Sequence, residues 1–185
     1  GFKNFIISLH YLPDKIKDFL GNGSDYGINI KYVVEKEPLG TAGCLSLIQD
    51  SLSGNNLVIN ADVLTDIDYR GLLDFHAKKN SAITVCTREY IHEIPFGVVN
   101  VSNGIIKSIE EKPSIKSWVN AGIYVINFDQ LPILKKDKYL DMPDLLESTL
   151  AEGEKVSNFE ISNYWIDIGQ IHDYEKAQLD INNNL

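Results

Sequence analysis

Cysteine is scarce in this chain, basic residues are outnumbered by acidic ones, and no apolar run is long, so several classes of protein are excluded at the outset. The cysteines, Cys44 and Cys86, stand far apart and outside any metal-type spacing. Neither a disulfide framework nor a zinc site is expected, and both read as reduced packing residues. A membrane-spanning helix needs about 20 consecutive apolar residues, and no stretch approaches that. The opening Gly1-Phe2-Lys3-Asn4-Phe5 has none of the charged and apolar regions of a signal peptide, so a cytoplasmic location is expected. With 17 Lys and Arg against 26 Asp and Glu, the net charge of −9 repels nucleic acid and disfavours a bare polyphosphate. Any phosphate substrate would need a cation. No Gly-x-Gly-x-x-Gly follows a strand-like run, which argues against an NAD-dependent dehydrogenase. The histidines (His10, His76, His92 and His172) show no paired metal spacing, and His76 beside Phe75 reads as structural.

What is present suffices for a core. At 185 residues and 44% apolar content, a single domain over residues 1–185 is expected. Between residues 1 and 80, short strand-like runs alternate with stretches of helical spacing, the order of parallel βα units. Phe5 to Leu9 predicts a strand. Pro13 to Leu20 predicts a helix with Pro13 in its first turn, Ile16, Phe19 and Leu20 on one face, and Gly21-Asn22-Gly23 as its stop. Residues 30–34 predict a strand, 41–51 a helix carrying Leu45, Leu47 and Ile48, 57–59 a buried strand, and 71–79 a helix with Leu72, Leu73 and Phe75. From Ser81 the segments become shorter and β-rich, over 82–87, 97–101, 104–110 and 119–126, with Asn103-Gly104 as a hairpin turn. Residues 142–151 predict a helix, 155–166 two short strands, and 170–182 a closing helix running into the polar Asn182-Asn183-Asn184. The class this order implies is α/β with a mixed sheet.

Several segments carry residue types suited to phosphate and metal chemistry. Pro38-Leu39-Gly40-Thr41-Ala42-Gly43 joins a strand to a helix, and its small residues are expected to leave backbone amides free to approach a flat or anionic ligand. Asp62, in Asn60-Ala61-Asp62, should lie just past the carboxyl end of a buried strand, where open α/β sheets bind ligands, as a magnesium ligand or a turn cap. Asp167, in Tyr164-Trp165-Ile166-Asp167-Ile168-Gly169, is a carboxylate among apolar neighbours and needs a cation, a basic side chain or backbone donors. If Asp62 and Asp167 converge, they can share one Mg²⁺ through oxygen ligands, with phosphate oxygens completing its shell. Glu110-Glu111-Lys112-Pro113 and Asn120-Ala121-Gly122 together offer an acceptor, a cation and an amide suited to a sugar phosphate, or else a solvated turn and a bulge. Asp66 and Asp68 precede a helix and read as its cap.

In order along the chain, PLGTAG, INAD, PFGVV, EEKP, NAGIYV and YWIDIG resemble the nucleotidyltransferases that join a nucleoside triphosphate to a sugar 1-phosphate. The resemblance is nearest to the guanylyltransferase branch, which includes mannose-1-phosphate guanylyltransferases. It implies a three-layer α/β/α sandwich with a mixed, mainly parallel central sheet. It also implies that Gly40, Thr41, Ala42 and Gly43 line the base and ribose pocket, and that Asp62 and Asp167 hold a catalytic Mg²⁺. Lys112 joins them as a catalytic cation, and Gly97, Glu111, Lys112, Asn120 and Gly122 contact the sugar phosphate. The implied reaction is in-line attack of a sugar 1-phosphate oxygen on the α-phosphorus of the triphosphate, with pyrophosphate leaving.

Members of that family begin with a glycine-rich loop carrying an arginine, followed by a Lys-Pro segment and preceded by the first strand of the sheet. None of these is in the 185 residues, and the chain starts without Met, so it reads as an N-terminally truncated piece, expected to be inactive or nearly so alone. No hexapeptide repeats follow the closing helix, so the bifunctional acyltransferase form is not expected. Two other functions fit the residues: a metal-dependent glycosyltransferase using Asp66 and Asp68, and a non-catalytic domain that senses nucleotides or nucleotide sugars. The sugar is not legible, because a few pocket substitutions change the preferred hydroxyl pattern.

Overall fold

The computed structural model describes residues 1–182; of the polar run at 182–184, residues 183 and 184 lie outside the described residues. By its internal contacts the chain divides into two compact units. The first comprises residues 1–56, 81–83 and 126–156, and the second residues 57–80, 84–125 and the described residues from 157 onward.

In the first unit, strand β1 (Asn4–Leu9) pairs in parallel with β2 (Asn29–Val34), joined through helix α1 (Pro13–Leu20). Pro13 pre-sets the backbone of the first turn, and Gly21, at φ 57°, ends the helix with its N–H on Lys17 O at 2.8 Å. Ile16 and Leu20, one turn apart, are half-buried, whereas Phe19 is 78% exposed, so the inward stripe is narrower than the spacing predicts. The helix expected over 41–51 is broken. A four-residue turn α2 (Gly40–Gly43) gives way to 3₁₀ turns at Cys44–Leu47 and Gln49–Ser51. Within the broken segment the Gln49 amide donates to Leu134 O at 2.9 Å and accepts from Leu134 N at 2.8 Å, pairing with a distant backbone as a strand would. Further along the chain, Pro143 opens helix α3 (Met142–Ala151), which buries Met142, Leu145 and Thr149.

The second unit holds the greater part of a four-stranded sheet with strand order β3 (Asn55–Ile59), β8 (Ser114–Asn127), β5 (Ile83–Glu93), β9 (Val156–Glu160). Helix α4 (Tyr69–Lys79) packs Leu72 into a cluster with Ile67, Cys86, Ala121, Ile123, Val125 and Ile161. Full burial of each large aliphatic side chain contributes about 1.5–3 kcal/mol, and this cluster fixes the strand ends that carry the motifs. Asp68 caps the helix by accepting from Arg70 N at 3.1 Å, the role expected for the Asp66/Asp68 pair. Cys86 is a buried free thiol pushed up to about 12 by desolvation, in keeping with a packing role. Two strands, β6 (Val98–Ser102) and β7 (Ile105–Glu110), form an antiparallel hairpin whose turn residues Asn103 and Gly104 both have positive φ. The second of the two short strands expected over 155–166, β10 (Trp165–Asp167), runs antiparallel to β4 (Val63–Thr65), a strand the sequence reading did not include. Helix α5 (Ile171–Asn182) follows β10. The class is α/β with mixed pairing, and among the described residues no helix is long and apolar enough to cross a membrane.

Candidate functional site

Three of the motifs meet in the second unit. In the β4–β10 pair Asp167 lies opposite Val63, and Ile168 N donates to Asp62 O at 2.7 Å, so the two aspartates occupy neighbouring positions at one end of the ladder. The third motif is held from both sides: Asn60 N donates to Gly122 O at 2.9 Å, and the Trp165 indole N–H donates to Ala121 O at 2.8 Å. Gly122 sits at φ 70° inside β8, with its own N–H on Asn120 Oδ1 at 3.0 Å. A Cβ there would come within 2.9 Å of Asn60 Nδ2 and 3.1 Å of Val63 Cγ2. Glycine is therefore required for the approach of INAD to NAG as well as for the turn.

Asp62 is exposed in the turn after β3, as its position past the strand end predicts, and Asp167 is exposed beside it. Desolvation pushes the Asp167 carboxyl above the ordinary carboxylate range, and the charges of Asp62 and Asp173 push it the same way. Two neighbouring carboxylates, both presenting hard oxygen donors, suit a divalent cation such as Mg²⁺, which relieves the repulsion on Asp167. Gly169 keeps the space beside Asp167 Oδ1 open, since a Cβ would stand 3.3 Å from it. No group of three or more His, Cys, Asp or Glu suited to a metal occurs among the described residues, so protein ligands would supply part of the shell and a ligand's oxygens the rest.

PFGVV and EEKP are also adjacent. Lys112 N donates to Phe96 O at 3.3 Å, Ile94 N to Pro113 O at 3.0 Å, and Glu111 Oε2 lies 3.0 Å from where a Gly97 Cβ would stand. Lys112 takes φ 47°, a left-handed conformation uncommon for a residue with a long side chain. Its ammonium is exposed and has no partner among the described residues.

The Gly40–Gly43 turn in the first unit differs from the expectation. Its amides are not free: Thr41 N donates to Asp141 Oδ1 at 3.1 Å, and Ala42 N and Gly43 N both donate to Leu140 O at 2.9 Å. The glycines serve that contact. A Cβ on Gly40 would meet Leu140 O at 2.6 Å, and one on Gly43 would meet Lys138 O at 2.5 Å. An amide cradle for an anion is thus replaced by a turn clamped under residues 138–141, because a distant carbonyl reaches the amides first. The sequence reading also missed Glu35, which accepts from Ser8 Oγ at 2.6 Å and from Leu39 N at 2.9 Å and so ties β1 to the turn's entry. A lone glutamate after a strand gives no signal of such a role. Cys44, a free thiol next to this group, is pushed up by burial and then by the Glu35 charge.

The family model for nucleotidyl transferases matches residues 1–184, and the chain belongs to that family. It is similar to the mannose-1-phosphate guanyltransferases of Yarrowia lipolytica, at 30% identity over 94% of this chain and 50% of the relative, and of Saccharomyces cerevisiae, at 28% over the same shares. The chain spans about half the length of these curated relatives. Among solved structures it is similar to HddC from Yersinia pseudotuberculosis, with a TM-score of 0.72 and 25% identity, covering 96% of this chain and 78% of that one.

Proposed function

We propose that the intact protein transfers a nucleoside monophosphate, GMP, from GTP to a sugar 1-phosphate, giving a nucleotide-diphospho-sugar and pyrophosphate. The observation that carries this function is the meeting of Asp62 and Asp167 across the β4–β10 pair, with Asn120–Gly122 locked against them. Similarity to mannose-1-phosphate guanyltransferases supports guanine as the base.

In the proposed reaction an oxygen of the sugar 1-phosphate attacks the α-phosphorus, a new P–O bond forms, and the bond to the β-phosphate oxygen breaks. The nucleophile is already an anion, so proton transfer has little part, and catalysis rests on alignment and charge neutralisation. Asp62 and Asp167 would hold Mg²⁺, which when bound supplies positive charge to phosphate oxygens. Lys112, exposed and held in its left-handed turn, offers its ammonium to the sugar phosphate, while Glu111 over Gly97 and the Asn120–Gly122 turn offer an acceptor and a shaped backbone to the hydroxyls. The Gly40–Gly43 turn meets the nucleoside at Thr41, its exposed residue, rather than through free amides.

The test is pyrophosphate release by the intact protein with Mg²⁺, each nucleoside triphosphate in turn and a panel of sugar 1-phosphates. Release is expected to require GTP and one sugar phosphate together. In Asp62→Ala and Asp167→Ala it should fall by about a hundredfold or more, the rate equivalent of several kcal/mol of lost charge stabilisation. No release with any pair from the folded protein would overturn the assignment and favour a sensing domain.

A further inference from the structure

We propose that Asp141 is a positioning residue for the nucleotide turn, holding Gly40–Gly43 in its binding shape through Thr41. The inference rests on the function proposed above, in which that turn meets the nucleoside. Three donors converge on this one carboxylate. Thr41 N reaches Oδ1 at 3.1 Å, Thr41 Oγ1 reaches Oδ1 at 3.4 Å, and the Tyr139 hydroxyl donates to Oδ2 at 2.7 Å. Thr41 Oγ1 in turn accepts from Met142 N at 2.7 Å, so one threonine is fixed at both its amide and its hydroxyl.

Asp141 immediately precedes α3 and would ordinarily cap it, yet its side chain makes no cap bond. The carboxylate is committed to the turn instead, while the Thr41 hydroxyl takes an amide in the first turn of the helix. This exchange of caps links the turn and the helix. Gly40 makes it possible: at φ 77°, a Cβ would come within 2.7 Å of Asp141 Oδ1. Hydrogen bonds to the ionised form, first from the Tyr139 hydroxyl and then from the Thr41 amide, hold the Asp141 carboxyl below its usual range. A charged acceptor that fixes the turn lowers the ordering cost a ligand would otherwise meet.

The experiment measures GTP binding to the intact protein by calorimetry, together with KM and kcat for both substrates and the melting temperature. Asp141→Ala is expected to weaken GTP binding and raise the GTP KM by about tenfold, the scale of hydrogen bonds lost to a charged acceptor. The KM for the sugar phosphate should stay within about twofold, because that substrate makes no use of the turn. Asp141→Asn, which keeps the acceptor, should recover most of the affinity. Tyr139→Phe, at a side chain 63% exposed and therefore harmless to folding, should show a smaller loss in the same direction. Unchanged GTP affinity in both Asp141→Ala and Tyr139→Phe, with wild-type binding intact, would overturn the clamp while leaving the enzymatic function standing. Equal increases in both KM values would assign Asp141 to general stability and overturn it too. No GTP binding by the wild type would remove both the function and the clamp.

Discussion

Single residues set the closest approaches in this protein, and Gly122 sets the tightest one that joins two motifs. Any other L-residue would have to adopt φ 70° and push against the Asn60 amide 2.9 Å away. Gly122→Ala is therefore expected to lower stability by at least about 1–2 kcal/mol, from the left-handed backbone alone. Urea denaturation checks this: a lower midpoint with an unchanged slope is the expected result, and an unchanged midpoint would mean the approach relaxes freely. The same scale exposes what sequence alone conceals. Gly40 and Gly43 are legible as a small-residue turn, but that they make room for Lys138, Leu140 and Asp141 depends on chain far away, so the amides look free until the fold consumes them.

At the scale of elements, capping and punctuation were read with success wherever the signal is local. Pro13 and Gly21 bound α1 as predicted, Asn103-Gly104 turns the β6–β7 hairpin, and Asp68 caps α4. The helix expected over 41–51 instead breaks after Gly43 into 3₁₀ turns, and Gln49 within it pairs its side-chain amide with distant Leu134. Helix α4 also carries a buried titratable group. His76 is 1% exposed, and its Nδ1 lies 2.8 Å from Thr84 Oγ1 in β5. Desolvation holds its pKa below the ordinary 6.5, so the folded state disfavours the imidazolium. The group's contribution is accordingly complete above the unfolded value and is lost as pH falls from there through the folded value. Between those two values wild-type stability should decline more steeply with falling pH than that of His76→Gln, by at most about 1.4 kcal/mol per pH unit. Denaturation midpoints at pH 7 and pH 5 decide it, and parallel declines would remove His76 as the cause.

Across the whole molecule, charge governs how an anionic ligand can be met. A net charge of −9 opposes a triphosphate, and the acidic pair at Asp62 and Asp167 adds local repulsion unless a cation intervenes. Omitting Mg²⁺ is expected to weaken GTP binding by about tenfold or more at low ionic strength, with partial recovery at about 0.15 M salt, where the Debye length is ~8 Å. Calorimetric titrations with and without Mg²⁺ test this, and equal affinities would contradict it. The amino-acid sequence by itself determined the α/β class, most element positions, the charge, and the identity of the motifs, because those follow from local periodicity, turn chemistry and composition. Only the tertiary structure decided which motifs touch. Asp62 and Asp167 meet because β4 pairs with β10, and residues 41–43 lose their free amides because Leu140 and Asp141 fold over them. Apart from the Asp141 carboxylate, both outcomes are long-range hydrogen-bond pairings between backbone groups that every residue carries, and such groups leave no mark in the sequence.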